Sequence, residues 1–156
     1  ATDIWGTSNV MTTVQAAVGL VQLGRLDGFV EARRTLAWRR HELLEGVEGL
    51  TLPLEPADCK HSFYLYTCLA PKEWAGEKRD SLMQMLAEVY GVHCVVANRP
   101  VYEYRKFLRD QTPGQRLRLS EQIGGRLFCI PIHPIMSAAD NEFICAAVIE
   151  CMEQLR

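Results

Sequence analysis

The stretch GTSNVMTTVQAAVGLVQLGRLDGF, residues 6–29, joins a short polar loop to a segment with a helical pattern. After Thr12 the apolar residues recur at spacings of three and four, as they do on a helix with one buried face. The same spacing continues to Val47, where nearby glycines end the pattern. The sequence therefore predicts one long helix over residues 12–47, with a bend allowed and with Thr12 or Thr13 as its cap.

Three glycines lie inside this predicted helix, at Gly19, Gly24 and Gly28. A glycine costs about 1 kcal/mol relative to alanine in a helix, so three of them call for compensation. The usual compensation is the close approach of another backbone. There are two interpretations: either a neighbouring helix of the same domain packs on the glycines, or a partner beyond the printed chain does so.

The remaining sequence alternates between strand patterns and helix patterns. The predicted strands cover residues 50–52, 62–69, 93–97 and 127–132. The predicted helices cover residues 78–90 and 138–156, with shorter helical turns at 104–109 and 120–124. Ser137 is the predicted cap of the last helix, and Asp140 suits the positive end of its dipole. This order predicts an α+β fold in which helices cover a small, mostly antiparallel sheet.

Composition excludes several classes of function. The 156 residues fit one domain with a substantial core. With 17 Lys and Arg against 19 Asp and Glu, the net charge of −2 supplies no basic field for nucleic acid. No apolar run approaches the roughly 20 residues that span a bilayer, and the N-terminus has no secretory pattern. We therefore expect a cytoplasmic protein without nucleic-acid or membrane partners.

Six cysteines are scattered among apolar positions rather than spaced as a disulfide framework. We expect them to be reduced and mostly buried. The sequence Cys59-x-His61 and the neighbours His93 and Cys94 offer metal ligands, but they do not form the two spaced pairs of a zinc site. No metal site is expected.

The first helix carries a motif that resembles the segment after the active-site lysine in the DegT/StrS-type sugar aminotransferases. The motif reads Met11-Thr12-x-x-Gln15-Ala16-Ala17-x-Gly19-x-x-Gln22-Leu23-x-x-Leu26-Asp27, followed by Arg33-Arg34. Three weaker similarities occur in the family's order, at residues 61–66, 79–82 and 127–137. Together they cover nearly the whole chain. The resemblance implies a fold-type I enzyme dependent on pyridoxal 5'-phosphate (PLP), which passes an amino group from an amino acid to a keto sugar, as a sugar nucleotide, or to a cyclitol.

The resemblance also implies a domain organisation. Residues 1–11 would be a loop from a missing N-terminal cofactor domain, and residues 12–156 a C-terminal small domain that the long helix links to it. The late first methionine, Met11, is expected of an excised piece of a longer protein. Such enzymes are homodimers, and the partners implied are this cofactor domain, a second subunit, the amino donor and the acceptor.

PLP aminotransferases hold the cofactor through a Schiff-base lysine. The chain has four lysines, none in the small-residue, glycine-rich context of the family's active-site lysine: Lys60, Lys72, Lys78 and Lys106. Motif order places that lysine before Ala1, so we expect no catalytic residue in this chain and no activity from the chain alone.

The loop before the long helix is implied to bind the cofactor phosphate of the partner subunit. Family members usually read Gly-x-Asn-x-Arg-Met there. Anchored on Met11, this sequence places Ser8 at the Asn position and Val10 at the Arg position. Either Ser8 or Asn9 can donate to a phosphate, but no nearby cation replaces the guanidinium. The alternative from the residues alone is that Ser8 and Asn9 are turn and cap residues.

Three further residues are implied to bind substrate. His61 starts the aromatic strand and could reach the sugar or nucleotide, Arg99 suits a carboxylate or phosphate, and Tyr102 could stack on a ring. The structural alternatives are a strand-end histidine satisfied by backbone, and a solvated loop with a packed tyrosine.

Two other functions stay open at this stage. A PLP-dependent sugar dehydratase of the same family would share this domain. A non-enzymatic α+β module that binds a small ligand or pairs with itself would instead be stable and free of a large exposed apolar stripe.

Overall fold

The computed structural model describes residues 10–97 and 99–156. These residues form seven α-helices, two strands and one 3-10 turn. In chain order they are α1 (Thr13–Gly24), α2 (Leu26–Leu44), β1 (Tyr66–Leu69), the 3-10 turn (Lys72–Trp74), α3 (Glu77–Tyr90), α4 (Val101–Tyr104), α5 (Lys106–Gln111), α6 (Arg118–Arg126), β2 (Leu127–Ile130) and α7 (Ala138–Gln154). The predicted α+β class is confirmed.

Local capping signals set the starts of α1 and α7. The Thr12 hydroxyl accepts from the Gln15 backbone N–H at 3.3 Å, and the Gln15 side chain accepts from the Thr12 N–H at 2.9 Å. Ser137 and Asp140 form the same reciprocal pair before α7. Both are capping boxes, in which two helix-end donors find partners. Of the two threonines considered, Thr12 is therefore the cap.

The structure divides the helix predicted over residues 12–47, for which a bend was allowed, into α1 and α2. The backbone turns at Arg25, where φ is −100° and ψ is −6°, and α2 starts at Leu26. The Arg25 N–H donates to the Gln22 carbonyl at 3.0 Å. This carbonyl lies three residues back, whereas the partner in a regular α-helix lies four residues back. The adjacent Gly24 weakens the helix at this point because glycine is a poor helix former. The second helix ends at Leu44, three residues before Val47.

The sheet is small and antiparallel throughout its described pairings. Strands β1 and β2 pair from Tyr66 with Ile130 to Leu69 with Leu127. Single bridges at Thr51 and Val95 extend it on either side, to Leu69 and Cys129 respectively. The predicted strand over residues 62–69 is shorter than expected and begins at Tyr66, because the chain bends through Phe63, whose φ is +45°.

The core lies between the sheet and three helices, with α7 packed against both α2 and α3. Seven residues of α7 are buried along its length. The fully buried apolar side chains shared among these elements include Ala37, Phe63, Tyr66, Cys68, Leu82, Leu86, Phe128, Val148, Cys151 and Met152. All six cysteines are free thiols; four are buried, Cys94 is half-buried and Cys59 is exposed.

Helix α1 contributes no residue to this core. Its apolar side chains, together with the first residue of α2, face outward and form what we call the α1 surface: Val14, Val18, Leu20, Val21, Leu23 and Leu26. A β-carbon added at Gly19, Gly24 or Gly28 would meet nothing within 4 Å. The interpretation that a neighbouring helix of the same domain packs on these glycines is therefore wrong for the described part of the chain. Apolar as α1 is, none of the helices described has the length and hydropathy needed to cross a bilayer.

Candidate functional site

Two of the predicted site residues, Ser8 and Asn9, lie outside the described residues. The next residues along the chain are described. Val10 is exposed, and α1 begins at Thr13 behind the Thr12 cap. The first turn of a helix carries N–H groups without helical partners and favours an anion. The electrostatic potential at this end of α1 therefore suits an anion.

His61 is held by contacts to its ring and to its backbone. The Phe63 N–H donates to Nδ1 of His61 at 2.8 Å, and the two rings pack against each other at a tilt of 34° with centroids 4.3 Å apart. On the backbone, the His61 N–H donates to Glu55, and the His61 carbonyl accepts from Arg34 at 2.8 Å. His61 is thus fixed in a loop before β1 and not within a strand.

Arg34 of α2 and Glu55 form the ion pair behind His61. The two nitrogens at the end of the guanidinium each donate to one oxygen of the carboxylate. Their side chains are only 15% and 13% exposed. The Arg34 hydrogen bonds, and next the His61 N–H, lower the pKa of Glu55 to about 2. The carboxylate therefore stays charged, and its two-point geometry fixes the loop relative to α2.

Arg99 and Tyr102 lie together at the other predicted site. They line a cavity of about 420 Å³ with five further residues: Pro100, Val101, Tyr104, Leu117 and Ser120. Arg99 is exposed and Tyr102 is half-buried. Tyr102 also lines a larger open cavity of about 840 Å³. An exposed guanidinium beside a cavity is a group that suits an anion.

Glu121 of α6 organises the segment around Tyr102. Its carboxylate accepts from the Tyr102 hydroxyl at 2.8 Å and from Nε and Nη2 of Arg116 at 2.8 to 3.1 Å. The Leu117 N–H donates to both Glu121 and the Tyr102 hydroxyl. The Arg116 and Tyr102 hydrogen bonds lower the pKa of Glu121 to about 2.

These contacts limit what Tyr102 can do. Its hydroxyl already donates once and accepts once. Burial, and next the bond to Glu121, raise the pKa of Tyr102, so the phenol stays protonated near neutral pH. The aromatic ring is the part of Tyr102 that could contact a ligand, and it suits the stacking role predicted for this residue.

The structure brings Arg99 and Tyr102 together but leaves His61 apart from them. Within residues 10–97 and 99–156, His61 shares no hydrogen bond or cavity with either residue. From the sequence, Arg34 is selected only as part of the family motif, and Glu55, Arg116 and Glu121 are not selected as site residues. An acidic residue in the first turn of α6 was the only local signal for Glu121, and no local signal marked Glu55.

Metal ligands are not clustered near these residues in the described part of the chain. Over the ranges described, no group of three His, Cys, Asp or Glu side chains could hold a metal ion. The lysines that have described partners act as surface cations, with Lys60 at 2.6 Å from Glu31 and Lys78 over the Trp74 ring.

Known proteins match nearly the whole chain. The family model of the DegT/DnrJ/EryC1/StrS aminotransferase family matches residues 1–149. The spore coat polysaccharide biosynthesis protein SpsC of Bacillus subtilis (strain 168) is 27% identical over 140 residues, which are 88% of this chain and 36% of SpsC.

Solved structures give the same result. The aminotransferase TlmJ from Streptoalloteichus hindustanus superimposes with a TM-score of 0.85 at 26% identity, over 99% of this chain and 40% of TlmJ. DesV of S. venezuelae, solved with a ketimine intermediate, gives 0.83 at 25% identity, over 98% of this chain and 40% of DesV. The chain thus spans about two-fifths of the length of these proteins.

Proposed function

Because the chain belongs to the DegT/DnrJ/EryC1/StrS aminotransferase family, we propose that it is the C-terminal part of a PLP-dependent sugar aminotransferase. The complete enzyme would pass an amino group from an amino acid such as glutamate or glutamine to a keto sugar, carried as a sugar nucleotide, or to a cyclitol. The observation that carries this proposal is that nearly the whole fold matches part of solved aminotransferase chains.

In this proposal residues 1–11 belong to a loop of the cofactor domain, and residues 12–156 form the small domain. The α1 surface supports this arrangement, because a soluble protein rarely leaves so many neighbouring apolar side chains uncovered. The cofactor domain would cover this surface. The glycines of α1, which leave open space above the helix, would allow that domain to approach closely.

The chemistry of amino transfer comes from PLP, held by a lysine and an acidic residue that we place in the cofactor domain. This chain would contribute only to the phosphate of PLP in the partner subunit, through Ser8 or Asn9. The capped N-terminal end of α1 supports that role because its electrostatic potential favours an anion. Val10 supplies no charge where the family usually has arginine, so the helix end would carry more of the interaction.

The acceptor would meet His61, Arg99 and Tyr102. Arg99 is exposed beside a cavity and suits a phosphate or carboxylate of the substrate. The Tyr102 ring, held by Glu121, would stack on a ring of the substrate, while His61 would donate a hydrogen bond from another side. Together these groups would orient the acceptor and exclude water from the reacting carbon.

An amino-transfer assay on the complete protein tests the proposal. The assay would combine PLP, glutamate or glutamine, and a panel of keto sugar nucleotides and cyclitols, and a variant lacking the cofactor-domain lysine would serve as the control. We expect an amino sugar or aminocyclitol that the lysine variant does not form. Loss of a hydroxyl without gain of nitrogen would instead identify a dehydratase, and a protein that fails to bind PLP would refute the proposal.

A further inference from the structure

We propose that Arg34 and Glu55 are positioning residues that hold His61 as a single neutral tautomer, with its Nε2–H free to donate to an oxygen of the acceptor. The part concerning the acceptor rests on the proposed function. The part concerning the tautomer rests on this structure alone.

The contact between Phe63 and His61 determines the tautomer. The Phe63 backbone N–H can only donate, so Nδ1 of His61 must accept and cannot carry a proton. In a neutral imidazole the proton then lies on Nε2. Nε2 finds no hydrogen-bond partner among the residues that the structure describes. His61 therefore presents one donor that its own loop does not use.

The ion pair holds the peptide groups on both sides of this ring. Glu55 accepts from the His61 N–H, while Arg34 donates to the His61 carbonyl and to both oxygens of Glu55. Arg34 belongs to α2, which packs on α7 in the core. The peptide groups of His61 are thus tied to α2 through charged, two-point contacts, in addition to the contacts made within the loop itself.

The backbone at Phe63 gives independent support. Phe63 is the single non-glycine residue with positive φ recorded in the described residues, and its side chain is fully buried. A non-glycine residue keeps this conformation only where its surroundings enforce it. The residue in this strained conformation donates its N–H to Nδ1 and packs its ring, tilted by 34°, against the imidazole. The loop thus adopts an unfavourable conformation that fixes one histidine ring.

The first test is ¹⁵N NMR of the histidine rings in the complete protein, with the His61 signals assigned through His61→Gln. We expect wild-type His61 to show one unprotonated Nδ1 and one protonated Nε2. Glu55→Gln and Arg34→Lys, which remove the two-point ion pair, should replace this pattern with an average of both tautomers. Glu31→Gln is the matched control, because Glu31 lies 4.0 Å from Arg34 but makes no contact with His61. An unchanged pattern in both loop variants would overturn the proposal.

The second test measures steady-state kinetics of the same variants. Loss of one positioned hydrogen bond should raise KM for the acceptor about three- to tenfold and leave KM for the amino donor unchanged. An active wild-type enzyme with an unchanged acceptor KM in Glu55→Gln and Arg34→Lys would overturn the role of His61 toward the acceptor. Absence of amino transfer in the wild type would refute the proposed function, while the NMR result would still decide whether Arg34 and Glu55 position His61.

Discussion

Arg40 is the clearest case of a single residue that joins distant elements. Its guanidinium is fully buried, donates from Nε to Asn141 and from Nη2 to the Pro131 carbonyl, and lies 5.2 Å from the Tyr66 ring centroid. Burial lowers its pKa, because no carboxylate hydrogen-bonds to it in the described structure to offset desolvation. Only neutral groups satisfy this cation, and Nη1 of Arg40 has no hydrogen-bond partner in the described structure, so the Asn141 and Pro131 oxygens are important for stability.

The Asn141 side chain should be difficult to replace. Asn141→Ala would remove the acceptor for Nε of Arg40, leaving a buried charged donor without a partner, and also the donor to the Leu36 carbonyl, which would keep only its helical hydrogen bond. Each loss costs about 1–3 kcal/mol, so we expect a destabilisation of about 2–5 kcal/mol. Urea unfolding monitored by circular dichroism would measure it, with the exposed Gln84→Ala as control. A change within about 0.5 kcal/mol, as at ordinary surface sites, would contradict this account of Arg40.

The Glu55 carboxylate should make the stability of the fold depend on pH in the acidic range. Its folded-state pKa is about 2, below the ordinary value of 4.5. A lowered pKa stabilises the fold above the unfolded-state value, and this contribution is lost as the pH falls from about 4.5 toward 2. We expect Glu55→Gln to flatten the decline of the urea midpoint between about pH 5 and about pH 2.5. Glu153→Gln, at an exposed position, is the control. Parallel declines in wild type and Glu55→Gln would refute the ion-pair explanation.

Among the secondary-structure elements, the segment from α4 to α6 is held together by the Glu121 carboxylate more than by buried apolar side chains. None of these three helices buries a large apolar side chain, and only Gly124 of α6 is buried. Glu121 instead joins α4 to the start of α6 through Tyr102, Arg116 and the Leu117 N–H. The segment that lines both cavities is therefore held mainly by polar contacts, which makes it sensitive to substitution.

Glu121→Ala should loosen this segment without unfolding the core. The residues between α5 and α6 would open more often, and trypsin would cleave at Arg109 and Arg116 about tenfold faster than in wild type, as expected for loss of a charged hydrogen bond. Glu103→Ala is a suitable control, because Glu103 lines the same cavity and its side chain has no hydrogen bond or salt bridge in the described structure. Equal cleavage rates in wild type and Glu121→Ala would contradict the organising role of Glu121.

Sequence-based prediction succeeded for elements where the signal is local. The Thr12 and Ser137 caps and the Gly91 helix end are set by residues within a few positions of each other. The bounds differ from the prediction at Arg25, where the backbone divides the predicted helix, and at Phe63, after which the predicted strand begins later than the apolar pattern indicates.

The site was predictable only in part for the same reason. His61, Arg99 and Tyr102 were selected by their chemistry and by family resemblance. The contacts that fix them join Arg34 to Glu55 and Tyr102 to Glu121, pairs 21 and 19 residues apart in sequence. Such pairs are brought together by tertiary packing, so the local sequence pattern does not predict them.

At the scale of the whole molecule, the chain is divided into a packed part and an unpacked helix. Helices α2, α3 and α7 enclose a core against the sheet, whereas α1 extends without burying any residue. Helices of only 12 residues are marginal in water without tertiary packing. A covering partner is therefore the simplest physical explanation for a stable α1.

Substitutions at Gly19 should have different effects in this chain alone and in the complete enzyme that we propose. Nothing described lies within 4 Å of an added β-carbon, so within this chain Gly19→Ala should stabilise α1 by about 1 kcal/mol. In the complete protein a larger side chain should instead disturb the covering domain. We expect Gly19→Leu to lower the melting temperature of the complete protein by several degrees, with the already exposed Glu45→Leu as control. Equal melting temperatures for Gly19→Leu and wild type would mean that no partner approaches this glycine.

Amide hydrogen exchange over residues 13–24 would show whether the cofactor-bearing part of the proposed enzyme covers α1. In the complete, PLP-loaded protein we expect these amides to exchange as slowly as those of α7. In a protein that consists of residues 1–156 alone we expect them to exchange rapidly. Rapid exchange over residues 13–24 in both forms would show that α1 has no covering domain, and it would contradict the account.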